Sequence, residues 1–200
     1  MFHGFSERLI KYIVKLGYVS EDETEEYIYG FDLILSVIFS DIAMLIIGVC
    51  MNMIPQVIAF ALIYKCIRKN SGGFHCETAL TCFISSCTMC ICVLLAIKYI
   101  PYDFTVYMVT ATICLVILFV MSPVEAINKP LDDDEFKVFG RRARIVICVI
   151  FAIFTAVCII GLSSVIKVMA ISIADVALFA VLGKMKLIHH DKKTAEQKIF

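Results

Sequence analysis

The sequence predicts an all-α polytopic membrane protein with about six transmembrane helices and an N-terminal amphipathic interfacial helix. Composition is the first observation behind this. Of the 200 residues, 61% are hydrophobic and 18% charged, and mean hydropathy is +0.92; soluble domains run closer to half apolar and about a quarter charged. The second is a recurrence of apolar runs long enough to cross a bilayer. The third is an uneven distribution of Lys and Arg between alternate loops. These features exclude a disordered chain, which needs low hydrophobicity and excess charge. The 18 Lys and Arg balance 18 Asp and Glu, so no nucleic-acid partner is expected. Ten cysteines could indicate a disulfide scaffold in a short secreted chain. Here Cys50, Cys87, Cys90, Cys92, Cys114, Cys148 and Cys158 lie inside apolar runs, where they pack as small hydrophobes.

Along the chain, Phe2, Phe5, Leu9, Ile13 and Leu16 recur at helical spacing, with Glu7, Arg8, Lys11 and Lys15 mainly on the other side. This predicts an interfacial helix within residues 1–19 rather than a span. The segment lacks the pattern of a cleaved secretory signal. Glu21–Glu26 reads as a solvated acidic connection. Six spans follow, at 28–50, 53–67, 79–98, 104–121, 145–163 and 165–183. The second is the shortest, bounded by Pro55 and by Lys65 and Arg68. Residues 1–185 read as one integral-membrane domain without internal repeats, and 186–200 as a tail. With six spans, one side carries Arg8, Lys11 and Lys15, Lys65, Arg68 and Lys69, and five basic residues in each of the 122–144 loop and the tail. The other side carries only Lys98 and Lys167. That asymmetry predicts cytoplasmic N- and C-termini.

One stretch departs from lipid-facing composition. It runs Arg68-Lys-Asn-Ser-Gly72-Gly73-Phe-His75-Cys76-Glu77, then Thr81-Cys82 and Ser85-Ser86. Cys and His are the minimum parts of a thiol nucleophile: the imidazole takes the thiol proton and the thiolate attacks a carbonyl. Seven residues of unbroken helix would separate His75 and Cys82 by roughly 10 Å along the axis. A catalytic pair therefore requires a loop-borne or re-entrant His75, with Cys82 in the first turns of the next helix. Gly72 and Gly73 supply the freedom for such a turn. Two alternatives stay open on the residues alone: a plain cytoplasmic turn with an exposed His, and Cys76 as the nucleophile.

The run Arg68-x3-Gly72-Gly73-x-His75-x6-Cys82-x2-Ser85 resembles the AgrB (accessory gene regulator B) family, integral-membrane cysteine endopeptidases of Gram-positive quorum sensing. A second stretch is similar too: Ser122-Pro123-Val124-Glu125, then Asn128-Lys129-Pro130-Leu131 and a basic cluster. The resemblance covers residues 5 to 185. It implies Cys82 as nucleophile and His75 as general base within a catalytic segment at 68–85. Arg68, Gly72, Gly73 and Ser85 then support the site or the substrate. It also implies an AgrD-like propeptide as partner, a thiolactone or lactone product, a bacterial plasma-membrane location and no cofactor or metal. A homodimer suits so small a membrane body. Cys76 stands where the family often has Ala.

Other features have simpler readings. Cys87-x-x-Cys90 lies mid-span without a neighbouring His, so packing is expected rather than metal binding. Asp32, Asp41 and Asp175 fall within spans, where carboxylates are costly; polar packing is expected of each, and Asp41, Asp175 or Glu77 could orient His75. In the 122–144 loop, Glu125 and Asp132–Glu135 precede Arg141, Arg142 and Arg144, which could hold an acidic part of a peptide or lipid headgroups. A small transporter or channel using Asp41 and Asp175, and a non-catalytic membrane subunit, are the rival functions. The orientation is testable by fusion reporters. Alkaline phosphatase fused after Asp103 is expected to be active, and a fluorescent protein fused at the C-terminus to fluoresce; the opposite pattern would invert the topology.

Overall fold

The computed structural model describes residues 3–72, 78–125 and 132–197. Seven α-helices account for most of them: α1 (His3–Lys15), α2 (Thr24–Met51), α3 (Ile54–Ser71), α4 (Ala79–Tyr99), α5 (Phe104–Met121), α6 (Asp133–Ile160) and α7 (Ser163–Gln197), with a 3₁₀ turn at Glu21–Glu23. The described residues contain no strand. An all-helical answer follows from the solvent, because a lipid-facing chain must satisfy each backbone group within its own segment.

The breaks between helices have local causes. Gly17, at φ 78°, closes α1, its N–H donating to the Val14 carbonyl at 2.9 Å. Asn52 ends α2 in the left-handed region at φ 56°, and Pro55 sits in the first turn of α3, where its missing N–H costs nothing. Asp103 caps α5 by accepting the Val106 N–H at 3.0 Å. Gly161, at φ 80°, turns the chain from α6 into α7.

Contacts divide the chain into two compact units, 1–52 with 76–91, and 53–75 with 92–200. In the first, α1 lies against α2. Ser6 and Ile10 are its buried residues, and Asp32 of α2 receives hydrogen bonds from Ser6 Oγ and from His3 Nδ1, the latter at 3.0 Å. Phe5, Tyr12 and Leu16 stay exposed, which leaves α1 an apolar outer face of the kind an interfacial helix needs.

The second unit holds α3, the latter part of α4, and α5 to α7. On α5, Tyr107, Ala111, Leu115 and Leu118 are buried in a single stripe. It meets a stripe on α7 in which Ala170, Ala177 and Ala180 alternate with Ile166, Ile173 and Val176. Small residues let helix axes approach closely, the main source of packing energy where lipid is as apolar as the core. Phe154 of α6 and Ile67 of α3 complete the cluster, neither of them exposed.

Among the described residues, five helices are long and apolar enough to cross a membrane: α2, α4, α5, α6 and α7. The sixth expected crossing falls on α3, 18 residues long and about 27 Å from end to end. Lys65, Arg68 and Lys69 lie in its last two turns and lower its hydropathy. The 122–144 segment, expected as loop, is helical from Asp133. Asp132 starts it as a capping box, its backbone N–H donating to Glu135 Oε2 at 3.4 Å, with the acidic run placed where the helix dipole favours negative charge.

The end of α3 is joined to the residues after α5. Val124 N–H donates to the Ser71 carbonyl at 2.8 Å, and Gly72 pairs with Val124 in a single parallel bridge. Gly72 has φ +69°, and a Cβ there would fall on the Val124 carbonyl oxygen. Its neighbour Pro123 packs 3.2 Å from where a Cβ on Gly140 of α6 would lie. Gly72→Ala is therefore expected to destabilise the protein by about 2 kcal/mol or more, combining left-handed strain with the clash. Gly30→Ala in α2, where a Cβ would meet nothing within 4 Å, is expected to be neutral or to stabilise by up to about 1 kcal/mol. Thermal unfolding of both variants in detergent would check this.

Candidate functional site

The residues picked out by spacing lie on two helix ends. At the start of α4, Thr78 and Thr81 cap each other: Thr81 N–H donates to Thr78 Oγ1 at 3.2 Å and Thr78 N–H donates to Thr81 Oγ1 at 3.3 Å. This reciprocal pair satisfies two donors that a helix N-terminus leaves open. It sets the register so that Cys82 N–H donates to the Thr78 carbonyl at 3.0 Å. Cys82 is exposed, and helical side chains lean toward the N-terminus, so its thiol leans toward the end where the chain enters α4. Ser85, three residues on, shares its face. Ser86 Oγ donates to the Cys82 carbonyl at 2.9 Å. Next to Cys82, the Phe83 ring packs on Phe39 of α2 at 5.0 Å between centroids.

At the end of α3, Gly72 N–H donates to the Arg68 carbonyl at 3.1 Å. The Arg68 guanidinium lies 5.4 Å from the centre of the Tyr64 ring, one turn back along the same helix, a cation–π distance. Its charge also acts on Asp175 of α7. Arg68 and Gly72 are thus brought together, as are Cys82 and Ser85. Gly73, His75, Cys76 and Glu77 lie outside the described residues. Both flanks of that stretch, Gly72 and Thr78, are non-helical, so α3 and α4 are separate helices.

The remaining candidates are scattered. Asp32 anchors α1, and Asp41 lies half-buried within α2. Cys90 is fully buried and Cys87 partly so; both occupy the packed side of α4. No disulfide joins the described cysteines. Arg141, Arg142 and Arg144 are exposed on the first part of α6, with Arg144 5.9 Å from the centre of the Phe119 ring. In the first unit, a groove of about 880 Å³ runs between α1 and the start of α2, lined by His3, Glu7, Lys11, Lys15, Glu25 and Asp32 among others. Lys11 Nζ donates to Glu7 at 2.6 Å and holds that carboxyl below the usual range. None of Cys82, Arg68, Gly72 or Ser85 lines the groove.

Two features escaped the sequence reading. The Thr78–Thr81 cap had a partial signal, a Thr just before an apolar run, but lacked the Glu or Gln three residues on that completes a capping box. The burial of Ser71 and Ser122, at 1% and 4% exposure, had no local signal.

Comparison with known proteins agrees with the motif. Residues 6–182 match the family Accessory gene regulator B. An AgrB-like protein 2 of Clostridium perfringens (strain 13 / Type A) is 26% identical over 148 residues, 70% of this chain and 69% of that one. An AgrB-like protein of C. perfringens (strain SM101 / Type A) is 26% identical over 139 residues, 66% of this chain and 65% of that one. The matched segments thus span about two thirds of each relative. No solved structure matches. With the family match running from α1 into α7, the chain belongs to the AgrB family, whose membrane-associated members take part in processing the peptides of accessory gene regulator quorum sensing.

Proposed function

We propose that this chain is a membrane cysteine endopeptidase that removes the C-terminal portion of an AgrD-like propeptide and cyclises what remains. The observation that carries the reading is the family match over 6–182, together with a Cys82 seated in the first turns of a helix that starts afresh after Gly72. The N-terminal turn of α4 favours negative charge near Cys82, which suits a thiolate there. The enzyme crosses the plasma membrane of a bacterial cell six times, α3 being the second crossing, with both termini in the cytoplasm.

In the proposed course, His75 removes the proton from Cys82 Sγ. The thiolate attacks a propeptide carbonyl carbon, an S–C bond forms, and the C–N bond breaks. His75 returns the proton to the departing amine. The N-terminal part of the propeptide is now an acyl thioester on Cys82. A Cys thiol within it attacks the thioester carbonyl, closes a thiolactone and releases Cys82 Sγ; a Ser hydroxyl would close a lactone. Exchange between thioesters is close to isoenergetic, whereas water would discard the acyl group. A site at the membrane mouth limits water, and the tether gives the internal nucleophile a high effective concentration. Arg68, Gly72, Gly73 and Ser85 support the site, Gly72 by placing the end of α3.

Co-expression with the AgrD-like propeptide from the neighbouring reading frame tests this. Cys82→Ala and His75→Ala are each expected to lower processing by on the order of 10³-fold, while Cys76→Ala retains it. Normal processing in the first two variants would overturn the reading, and loss in the third would move the nucleophile to residue 76.

A further inference from the structure

The groove between α1 and the start of α2 has no part in the chemistry proposed for Cys82, yet it belongs to the same compact unit. On α1 it is lined by His3, Glu7, Lys11, Val14 and Lys15, a row at helical spacing. That row lies roughly opposite Phe5, Tyr12 and Leu16, the exposed apolar residues of α1. With the apolar face in the bilayer, the groove opens to water. Ile28, buried on α2, forms part of its lining.

Four carboxylates line the groove, against Lys11 and Lys15; even with His3 charged, anions are in excess. Most of these charges are used within the fold. Lys11 Nζ is held by Glu7 at 2.6 Å, and the two oxygens of Asp32 are taken by Ser6 and His3. What stays open is Lys15 with Glu21 and Glu25, none of which forms an ion pair among the described residues. Val14, Ile28 and the Tyr29 ring add apolar surface. An occupant must therefore bring net positive charge and an apolar side chain within the same few residues. An acidic peptide or a free phosphate would face Glu21 and Glu25 instead.

The groove is also within reach of the thiol. Phe83, next to Cys82, packs on Phe39 of α2. Ile28 and Asp32 precede Phe39 by eleven and seven residues on that helix, or roughly 10 to 17 Å along its axis. An extended peptide covers that distance in about three to five residues. We propose that the groove docks a cationic, partly apolar segment of the substrate propeptide that lies on the N-terminal side of the scissile bond. The side follows from the order of events. Only the part upstream of the cleaved bond stays on Cys82 as the acyl group, and an anchor on it holds the acyl chain in place until the ring closes. The proposal rests on the peptidase reading for the identity of the peptide, and it assigns the groove a binding role, not a chemical one.

The test is made in a Cys82→Ala background, which cannot form the thioester. The fluorescein-labelled propeptide of the neighbouring reading frame is titrated against the full-length protein in detergent and followed by anisotropy. Glu21→Gln/Glu25→Gln is expected to weaken binding about 5- to 10-fold at low salt, and Glu21→Lys/Glu25→Lys by roughly 20-fold or more. The control is Glu23→Gln/Glu26→Gln, on the same acidic run but outside the groove lining, which is expected to stay within about twofold. All four glutamates are exposed, so thermal unfolding is expected to stay level. A propeptide whose Lys and Arg upstream of the scissile bond are replaced by Gln is expected to bind the parent as weakly as the Glu21→Gln/Glu25→Gln protein, and to lose nothing further on that protein. Equal losses in the two Gln pairs would reduce the effect to general acidity and overturn the groove. So would full affinity in the groove pair, or losses that add between peptide and protein, which would place those cations elsewhere. Normal processing by Cys82→Ala protein would defeat the peptidase chemistry while leaving this comparison readable.

Discussion

One backbone hydrogen bond, from the N–H of Val124 to the carbonyl of Ser71 at 2.8 Å, decides where α3 stops. A helix end leaves carbonyls without intrahelical donors. In a protein surrounded by lipid those carbonyls need partners from elsewhere in the chain. Here the partner is an extended segment entering from α5, and its approach is close enough that only a residue without Cβ fits at position 72. The glycine, the extended Ser122–Val124 segment and Gly140, which gives Pro123 room, form one interlocked joint. Everything proposed for the motif after Gly72 starts from this fixed point.

The same solvent constraint explains the distribution of polar groups. Ser36, Ser40, Ser86, Thr112, Thr155 and Ser172 fold back on the backbone of their own helices, and Asp32 spends its two oxygens on holding α1. Thr78 and Thr81 absorb the open donors of α4.

Legibility differed from element to element. The long apolar runs of α2, α4, α5, α6 and α7 were readable because lipid demands length and hydropathy together. α3 was readable mainly as an exception, since its cations weaken the same signal. The segment 122–144 was expected as the connection between two spans; that it is helical from Asp133 could have been read from the capping pattern of Asp132 and Glu135. The amphipathic face of residues 1–19 was visible. That Ser6 and Ile10, rather than the larger apolar residues, would be its buried contacts was not, because the partner surface lies on α2. Arg68, Gly72, Cys82 and Ser85 were named through the resemblance of their motif to a family, and a motif says nothing of which helix end each one occupies.

By itself the sequence determined the solvent, the helical class and the family, since composition, apolar run length and a short motif are properties of the chain taken in order. Tertiary structure alone decided that the Gly72 backbone would meet Val124. It alone decided that Ser71 and Ser122 would be buried, and that the charge of Arg68 on α3 would bear on Asp175 of α7. Such pairings depend on which helix faces are turned toward one another, and that is settled by the close packing of small and branched side chains between helices, which no local pattern encodes.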